Sequence, residues 1–323
     1  MTGVLLIKLG TPDSPDTKSV RRYLRQFLSD PFVIDINPVF RWLLVNLIII
    51  PFRSPKSAEA YRKIWTEEGS PLLVNSLKFT KSLQEKLGND YAVQIGMRYG
   101  EPSIRHALWR LNHRDIDRIL VFPLYPHYAS SSTGTCLKEV KRVCKKMKME
   151  KAIDILPPFF DHRGFIRSFA EVGRPHLAGT DHVLFSFHGL PERHIQKGDP
   201  YRDQCFITSE ALAKELSLEP GTFSVSFQSR LGRTPWIKPY TDLELVRLAR
   251  EGKKRIAVFC PAFVADCLET LEEIAIRGRE TFIGAGGEEL ILVPSLNDYA
   301  AWAEEAARMI TEFPMNEQNQ PAP

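Results

Sequence analysis

The chain has 323 residues, 43% of them hydrophobic and 25% charged, an ordinary composition for a folded protein with material for one large or two moderate cores. Lys plus Arg number 43 against 39 Asp plus Glu, and a net charge of +4 with no dense basic run gives no support to nucleic-acid binding. The five cysteines, Cys136, Cys144, Cys205, Cys260 and Cys267, are odd in number and include no Cys-x-x-Cys, which argues against a disulfide framework or zinc ribbon and for a reducing cytoplasm.

The amino end enters an apolar run by Val4, so no secretory leader is expected. Val4–Leu9 reads as the first buried strand. Ser14-Pro15 marks the start of a helix whose stripe Val20, Tyr23, Leu24, Phe27 and Leu28 recurs at i, i+3, i+4, i+7, i+8. Trp42–Phe52, WLLVNLIIIPF, follows. As a helix it spans only about 16 Å at ~1.5 Å per residue, short of a bilayer core of roughly 30 Å. It is either a buried helix or an exposed apolar lip over a ligand or membrane surface, with Arg41 and Arg53 flanking it as anchors. Ala92–Gly96, Ile119–Phe122, Val183–Phe187, Phe223–Phe227, Ile256–Phe259 and Leu290–Val293 read as further buried strands. Tyr299, Trp302, Ala303, Ala306 and Ile310 form a closing helical stripe, and the polar tail 314–323 is expected to be disordered.

Alternation of strands and helices predicts βαβ units in an α/β fold with parallel sheets. The halves are weak repeats of each other. LLIKLGTP at Leu5 is similar to LFSFHGLP at Leu184, VQIGMRYG at Val93 to VSFQSRLG at Val225, and RILVFPLYP at Arg118 to RIAVFCPAF at Arg255. Two similar Rossmann-like, doubly wound domains are therefore expected. The first spans 1–165 with an inserted lip at about 38–72, and the second spans 166–313. In open parallel sheets ligands bind beyond the carboxyl ends of the strands, so facing domains would enclose a cleft.

The chemistry-bearing residues gather at those ends. His188 ends a strand before Gly189-Leu190-Pro191 and can be a base or metal ligand; its plain alternative is a turn histidine bonded to backbone. Asp266, Glu269 and Glu273 are spaced to line one helix face, as a proton or cation path would be. Their plain alternative is a solvated face with Glu273 paired to Arg277. Cys267 is a soft ligand or a small buried residue. Arg53, Lys56, Arg62 and Lys63, with Tyr61 and Ser70, place cations beside the greasy stretch, which suits an amphiphile with acidic side arms; Arg98 and Arg230 occupy matching strand ends. Tyr125-Pro126-His127-Tyr128 leads into a Ser130–Gly134 loop able to hold an anion, though neither a P-loop nor GxGxxG is present.

Several long blocks closely resemble the ferrochelatase family, from about Gly3 to Ile310: SFHGLPERHIQKGDPY at Ser186, FQSRLGRTPWIKPYTD at Phe227, CPAFVADCLETLEEI at Cys260, LGTP at Leu9, RSPKSAEAYRKIW at Arg53, GSPL at Gly69 and PLYPHYASSSTG at Pro123. The resemblance implies insertion of ferrous iron into protoporphyrin IX to form protohaem, the last step of haem biosynthesis. It implies that His188 and Glu269 flank the metal, with Asp266 and Glu273 as the acidic path behind. It places Leu9, Tyr125 and Trp236 near the macrocycle, Arg53, Tyr61 and Ser70 at the porphyrin carboxylates, and Arg98 and Tyr99 opposite the histidine. Fe2+ is then substrate and no cofactor is required. Ser130 stands where an iron–sulfur form of the family has cysteine, so no [2Fe-2S] cluster is expected. Lys8 and Cys267 also depart from common family residues, Asn and His. The readings weighed against this are a related cobalt or nickel chelatase, coproporphyrin as substrate, and a non-catalytic porphyrin or haem carrier. The expected setting is cytoplasmic, with peripheral contact to the inner membrane through the lip.

Overall fold

The computed structural model describes residues 1–232 and 234–314; beyond Pro314 the expected tail lies outside the described residues. Two four-stranded sheets organise the chain, and every pairing within them is parallel. The first comprises β1 (Thr2–Gly10), β2 (Tyr91–Tyr99), β3 (Arg118–Pro123) and β4 (Ala152–Ile155) in the order β2-β1-β3-β4. The second comprises β5 (His182–His188), β6 (Phe223–Gln228), β7 (Arg255–Phe259) and β8 (Glu289–Leu292) in the order β6-β5-β7-β8. The three repeated sequence blocks are thus β1/β5, β2/β6 and β3/β7, and the sheets share one topology. Val4–Ile7 and Ile119–Phe122 are fully buried, because helices cover both faces of a parallel sheet, and this is why the strands read as continuous apolar runs. β4 was not expected: it is four residues long and carries a buried Asp154 that approaches Arg118 at 3.8 Å.

The first helix is Thr17–Leu28, and its cap is Asp16 rather than the predicted Ser14-Pro15. The Asp16 carboxylate accepts from the Lys18 and Ser19 N–H groups at 2.7 and 3.0 Å, while Ser14 donates to Asp16 from outside the helix.

The chain forms two compact units, and their bounds differ from the expected 1–165 and 166–313. One is Met1–Leu124 and Ser130–Pro158 with the segment from Asp298; the other is Tyr125–Ala129 and Phe159–Asn297. The closing helix Ala300–Thr311 follows the second sheet in sequence but packs with the first. Its Trp302 is fully buried and stacks on Phe79 of the helix Pro71–Leu87, ring centroids 5.8 Å apart. An apolar stripe announces that a helix is buried, not which sheet buries it.

The greasy segment is exposed. Pro38–Leu43, a wide-turned stretch Leu44–Ile49 and Ile50–Ile64 make one continuous helical run. Pro51 and Pro55 lack the N–H groups that would bond back into an α-helix, and the widened turn lies just before the first of them. Phe40, Trp42, Leu47, Ile48 and Phe52 are 57–74% exposed, whereas Val45, Ile50, Ala58 and Tyr61 are buried. Arg41 does not flank this surface as an anchor; it donates to the carbonyls of Ile34 and Ile36. No helix among the described residues is long and apolar enough to cross a membrane.

Removing the Trp302 indole leaves a cavity against Phe79. Trp302→Ala is expected to cost about 3–5 kcal/mol, seen as a lower urea midpoint, and Trp302→Phe less. A wild-type midpoint for the alanine variant would contradict docking of this helix in the first unit.

Candidate active site

In the second unit, His188 is the last residue of β5 and pairs with Gln228, the last residue of β6. The next residue must be glycine. The Gly189 N–H donates to Gln228 O at 2.7 Å, and a Cβ on Gly189 would lie 2.8 Å from that oxygen and 3.1 Å from the Trp236 ring. His188 is half-buried, its ring centroid 6.5 Å from Trp236 and 6.3 Å from Phe263. Its Nδ1 lies 2.7 Å from Gly189 O. A carbonyl only accepts, so Nδ1 carries the hydrogen and Nε2 of the neutral ring keeps its lone pair for a proton or a metal.

Gln228 ties this strand end to the carboxylates. Its Nε2 donates to Glu269 O at 2.8 Å and to Glu273 Oε2 at 3.3 Å. Its Oε1 accepts from Ser186 Oγ at 2.8 Å, and Ser186 Oγ lies 2.9 Å from Thr241 Oγ1. The Glu273 carboxylate also accepts from the Ser229 N–H at 2.7 Å and from its hydroxyl at 2.5 Å. Arg277 pairs with Glu272 at 2.7 Å, not with Glu273 as the plain alternative had it. Glu273 is therefore held toward β6.

Asp266 corrects the single-face expectation. It precedes the helix Leu268–Leu271, is buried, and accepts from Thr270 Oγ1 at 2.9 Å, Asn297 Nδ2 at 2.7 Å and the Ser295 N–H at 3.3 Å. These bonds fix the segment after β8 and leave Glu269 and Glu273 as the half-buried pair. Cys267 caps that helix with Thr270. Burial first, and the neighbouring Glu269 carboxylate second, push its thiol well above its ordinary value, as suits a small buried residue.

Behind His188, Phe187 packs edge-on against His127 with centroids 5.3 Å apart. Thr208 donates its hydroxyl to Phe160 O at 2.6 Å, so at 2.8 Å it accepts from His127 Nε2. His127 Nδ1 is buried without a hydrogen-bond partner among the described residues. The imidazole is neutral, pushed down to about 3 by burial alone.

In the first unit, Leu9 occupies the β1 position that the repeat matches to His188, and is half-buried. Buried Ser70 shares a 2.7 Å hydrogen bond with Thr11. Arg53 and Tyr61 lie two turns apart on the helix Ile50–Ile64, Arg53 half-buried and Tyr61 buried. Arg98 and Tyr99 end β2 beside Asp30 and Thr135. Tyr99 is fully buried with its hydroxyl donating to Asp30 Oδ2 at 2.9 Å, so its side chain is a core group and not an open ligand contact. Arg230, the repeat counterpart of Arg98, is exposed, paired to Asp242 at 2.7 Å, with its guanidinium 4.4 Å from the Tyr240 ring centroid. Tyr125, in the loop after β3, and Trp236, in the loop after β6, are half-buried, and the Trp236 Nε1–H donates to Leu231 O at 2.9 Å. Ser130–Gly134 coils directly into the helix Thr135–Met147. Sequence reasoning missed Gln228, Ser229, Asp30 and Thr135; Gln228 and Ser229 stand inside the FQSRLG block, which was the available signal.

The fold is that of a chelatase. Sirohydrochlorin chelatase SirB from Bacillus subtilis subspecies spizizenii, solved with cobalt, aligns with a TM-score of 0.58 at 9% identity over 96% of this chain and 94% of its own. The family model Ferrochelatase matches residues 1–313. The ferrochelatase of Pseudomonas aeruginosa strain UCBPP-PA14 is 47% identical over 329 residues, covering 95% of this chain and 96% of the relative. That of Legionella pneumophila strain Lens is 44% identical over 328 residues, covering 96% and 98%. The chain belongs to the ferrochelatase family and is a metal-inserting lyase.

The unfolded chain protonates His127 near pH 6.5 and the native state only near 3, so stability is lost as pH falls through that window. His127→Gln is expected to flatten this loss, by about 2 kcal/mol between pH 7.5 and 5, read from urea midpoints. An unchanged pH dependence would mean His127 is not held neutral.

Proposed function

We propose that this protein inserts Fe2+ into protoporphyrin IX to give protohaem, releasing the two pyrrole protons. The observation that carries the reading is the pairing of His188 with Gln228, whose side chain holds the Glu269 carbonyl and the Glu273 carboxylate beside the same strand end. Metallation removes two protons from nitrogens at the centre of a flat apolar disc. It also strips water from a divalent ion.

The free Nε2 of His188 suits the first task, taking a pyrrole proton or meeting the metal. The Glu269 carboxylate completes the metal point, and Glu273 receives protons behind it, kept in place by Ser229 and Gln228. Asp266 fixes the backbone before Glu269. Leu9, Tyr125 and Trp236 are assigned to the macrocycle. Arg53, Tyr61 and Ser70 hold its carboxylates, with Arg98 as a further cation and Tyr99 as its buried support. Gripping a ring in a puckered shape would expose its nitrogens, which is differential binding of a transition-state-like form.

Iron is substrate, no resident cofactor is needed, and no [2Fe-2S] cluster is part of the protein. Nucleic acid is not a partner. The enzyme works in the cytoplasm, with the apolar lip touching the inner membrane. Two features support the lip: the exposure of Phe40, Trp42, Leu47, Ile48 and Phe52, and a helical run bearing no carboxylate from Pro38 to Ala58.

Anaerobic conversion of protoporphyrin with Fe2+, followed by absorbance, tests the chemistry. His188→Ala is expected to lower turnover by about 10²–10⁴-fold while still binding porphyrin, and Glu269→Gln to behave likewise. Coproporphyrin should be converted more slowly than protoporphyrin. Binding of both porphyrins without turnover by wild type would leave a carrier.

Sedimentation with lipid vesicles tests the lip. Leu47→Ser combined with Ile48→Ser is expected to abolish vesicle binding with turnover in detergent unchanged. Full binding by the double variant would remove the lip from the account.

A further inference from the structure

The Arg98 guanidinium is gripped on two sides. Nη2 donates to Asp30 Oδ2, and Nε donates at 2.8 Å to Thr135 Oγ1, which in turn donates to the same Asp30 oxygen at 2.7 Å. Tyr99 donates its hydroxyl to Oδ2 as well, and the Arg98 guanidinium carbon lies 4.6 Å from the Tyr99 ring centroid. The other Asp30 oxygen accepts the Phe32 N–H at 2.8 Å, in the turn that leads from the first helix toward the apolar lip. Asp30 is 3% exposed at its side chain and Arg98 18%.

Burial alone would raise the Asp30 carboxyl. The hydrogen bonds from Thr135, the Phe32 N–H and Tyr99, with the Arg98 charge, outweigh it and hold the group below its ordinary value. The pair is therefore ionised and fixed. Two of the five guanidinium N–H groups are used in this way. The other three make no hydrogen bond to the described residues, and the fork geometry fixes their direction.

We propose that Asp30, acting both directly and through Thr135, is the positioning residue that locks Arg98 as a rigid cation for the porphyrin substrate. This rests on the reading of Arg98 as a substrate contact. Asp30 itself touches no substrate. Its role is to present three aligned donors that a free arginine would order only at an entropic cost on binding.

The test is a double-mutant cycle on porphyrin affinity, titrated by fluorescence with the iron-free enzyme, alongside kcat and KM. Asp30→Asn and Arg98→Ala are each expected to weaken porphyrin binding about tenfold or more, raising KM with kcat within a few-fold. The Asp30→Asn, Arg98→Ala double variant should bind no worse than Arg98→Ala, because Asp30 has nothing left to position. Thr135→Val, which keeps the charge pair and removes the bridge to Nε, should give a smaller loss that also vanishes in the Arg98→Ala background. It carries the test if Asp30→Asn does not fold. A further loss on adding Asp30→Asn or Thr135→Val to Arg98→Ala would overturn the positioning role, leaving Asp30 as a structural residue. Wild-type affinity for Arg98→Ala would overturn the Arg98 contact instead, with His188 and Glu269 untouched.

Discussion

Each sheet brings its central strand and that strand's neighbour together up to their final residues, with a glycine at the crossing. A Cβ on Gly10, which has φ +117°, would lie 1.7 Å from the Tyr99 carbonyl oxygen, and one on Gly189 would lie 2.8 Å from that of Gln228. No other residue type allows this approach without moving the strands. The chemistry depends on the closeness it creates. In the second unit it sets His188 beside Gln228, whose side chain reaches the Glu269 backbone carbonyl and the Glu273 carboxylate. In the first it brings Leu9 and Gly10 against the strand end that carries Arg98 and Tyr99.

The two units have used one scaffold for different tasks. The β5 end carries an imidazole where the β1 end carries a leucine. The β6 end carries an amide that bonds the Glu273 carboxylate where the β2 end carries a cation on a buried aspartate. The polar groups beneath both ends are satisfied in short chains: Ser186, Thr241 and Ser226 under Gln228, and Thr135 and Tyr99 around Asp30. Buried networks of this kind hold side chains at fixed angles, which a site acting on a rigid disc requires.

Seven of the eight strands among the described residues were legible because most positions of a strand covered on both faces are apolar. β4 was not, since four residues with an internal aspartate carry little pattern. The repeat made the shared topology readable, and the strand ends drew attention to His188, Glu269 and Arg98, while Trp236 came from the family resemblance alone. What escaped depended on contacts remote in sequence. Asp30 stands in no motif and gains its role only when Thr135 and Tyr99 are folded against it. Asp266 reads as part of a helical carboxylate row until Asn297 claims it. The closing helix showed its buried stripe but not Phe79 as its partner. Glu273 and Arg277 had ideal spacing for an ion pair, and a widened helical turn gave Arg277 to Glu272 instead.

In the proposed reaction His188 and Glu269 meet the same metal ion. A crystal soaked with Co2+ as a stable stand-in for Fe2+, with its position taken from anomalous scattering, tests this pairing. A peak is expected within bonding distance of His188 Nε2 and of the Glu269 carboxylate, lost in Glu269→Gln. A metal bound by Asp266 or at the Asp30 cluster, with His188 and Glu269 both unoccupied, would contradict it.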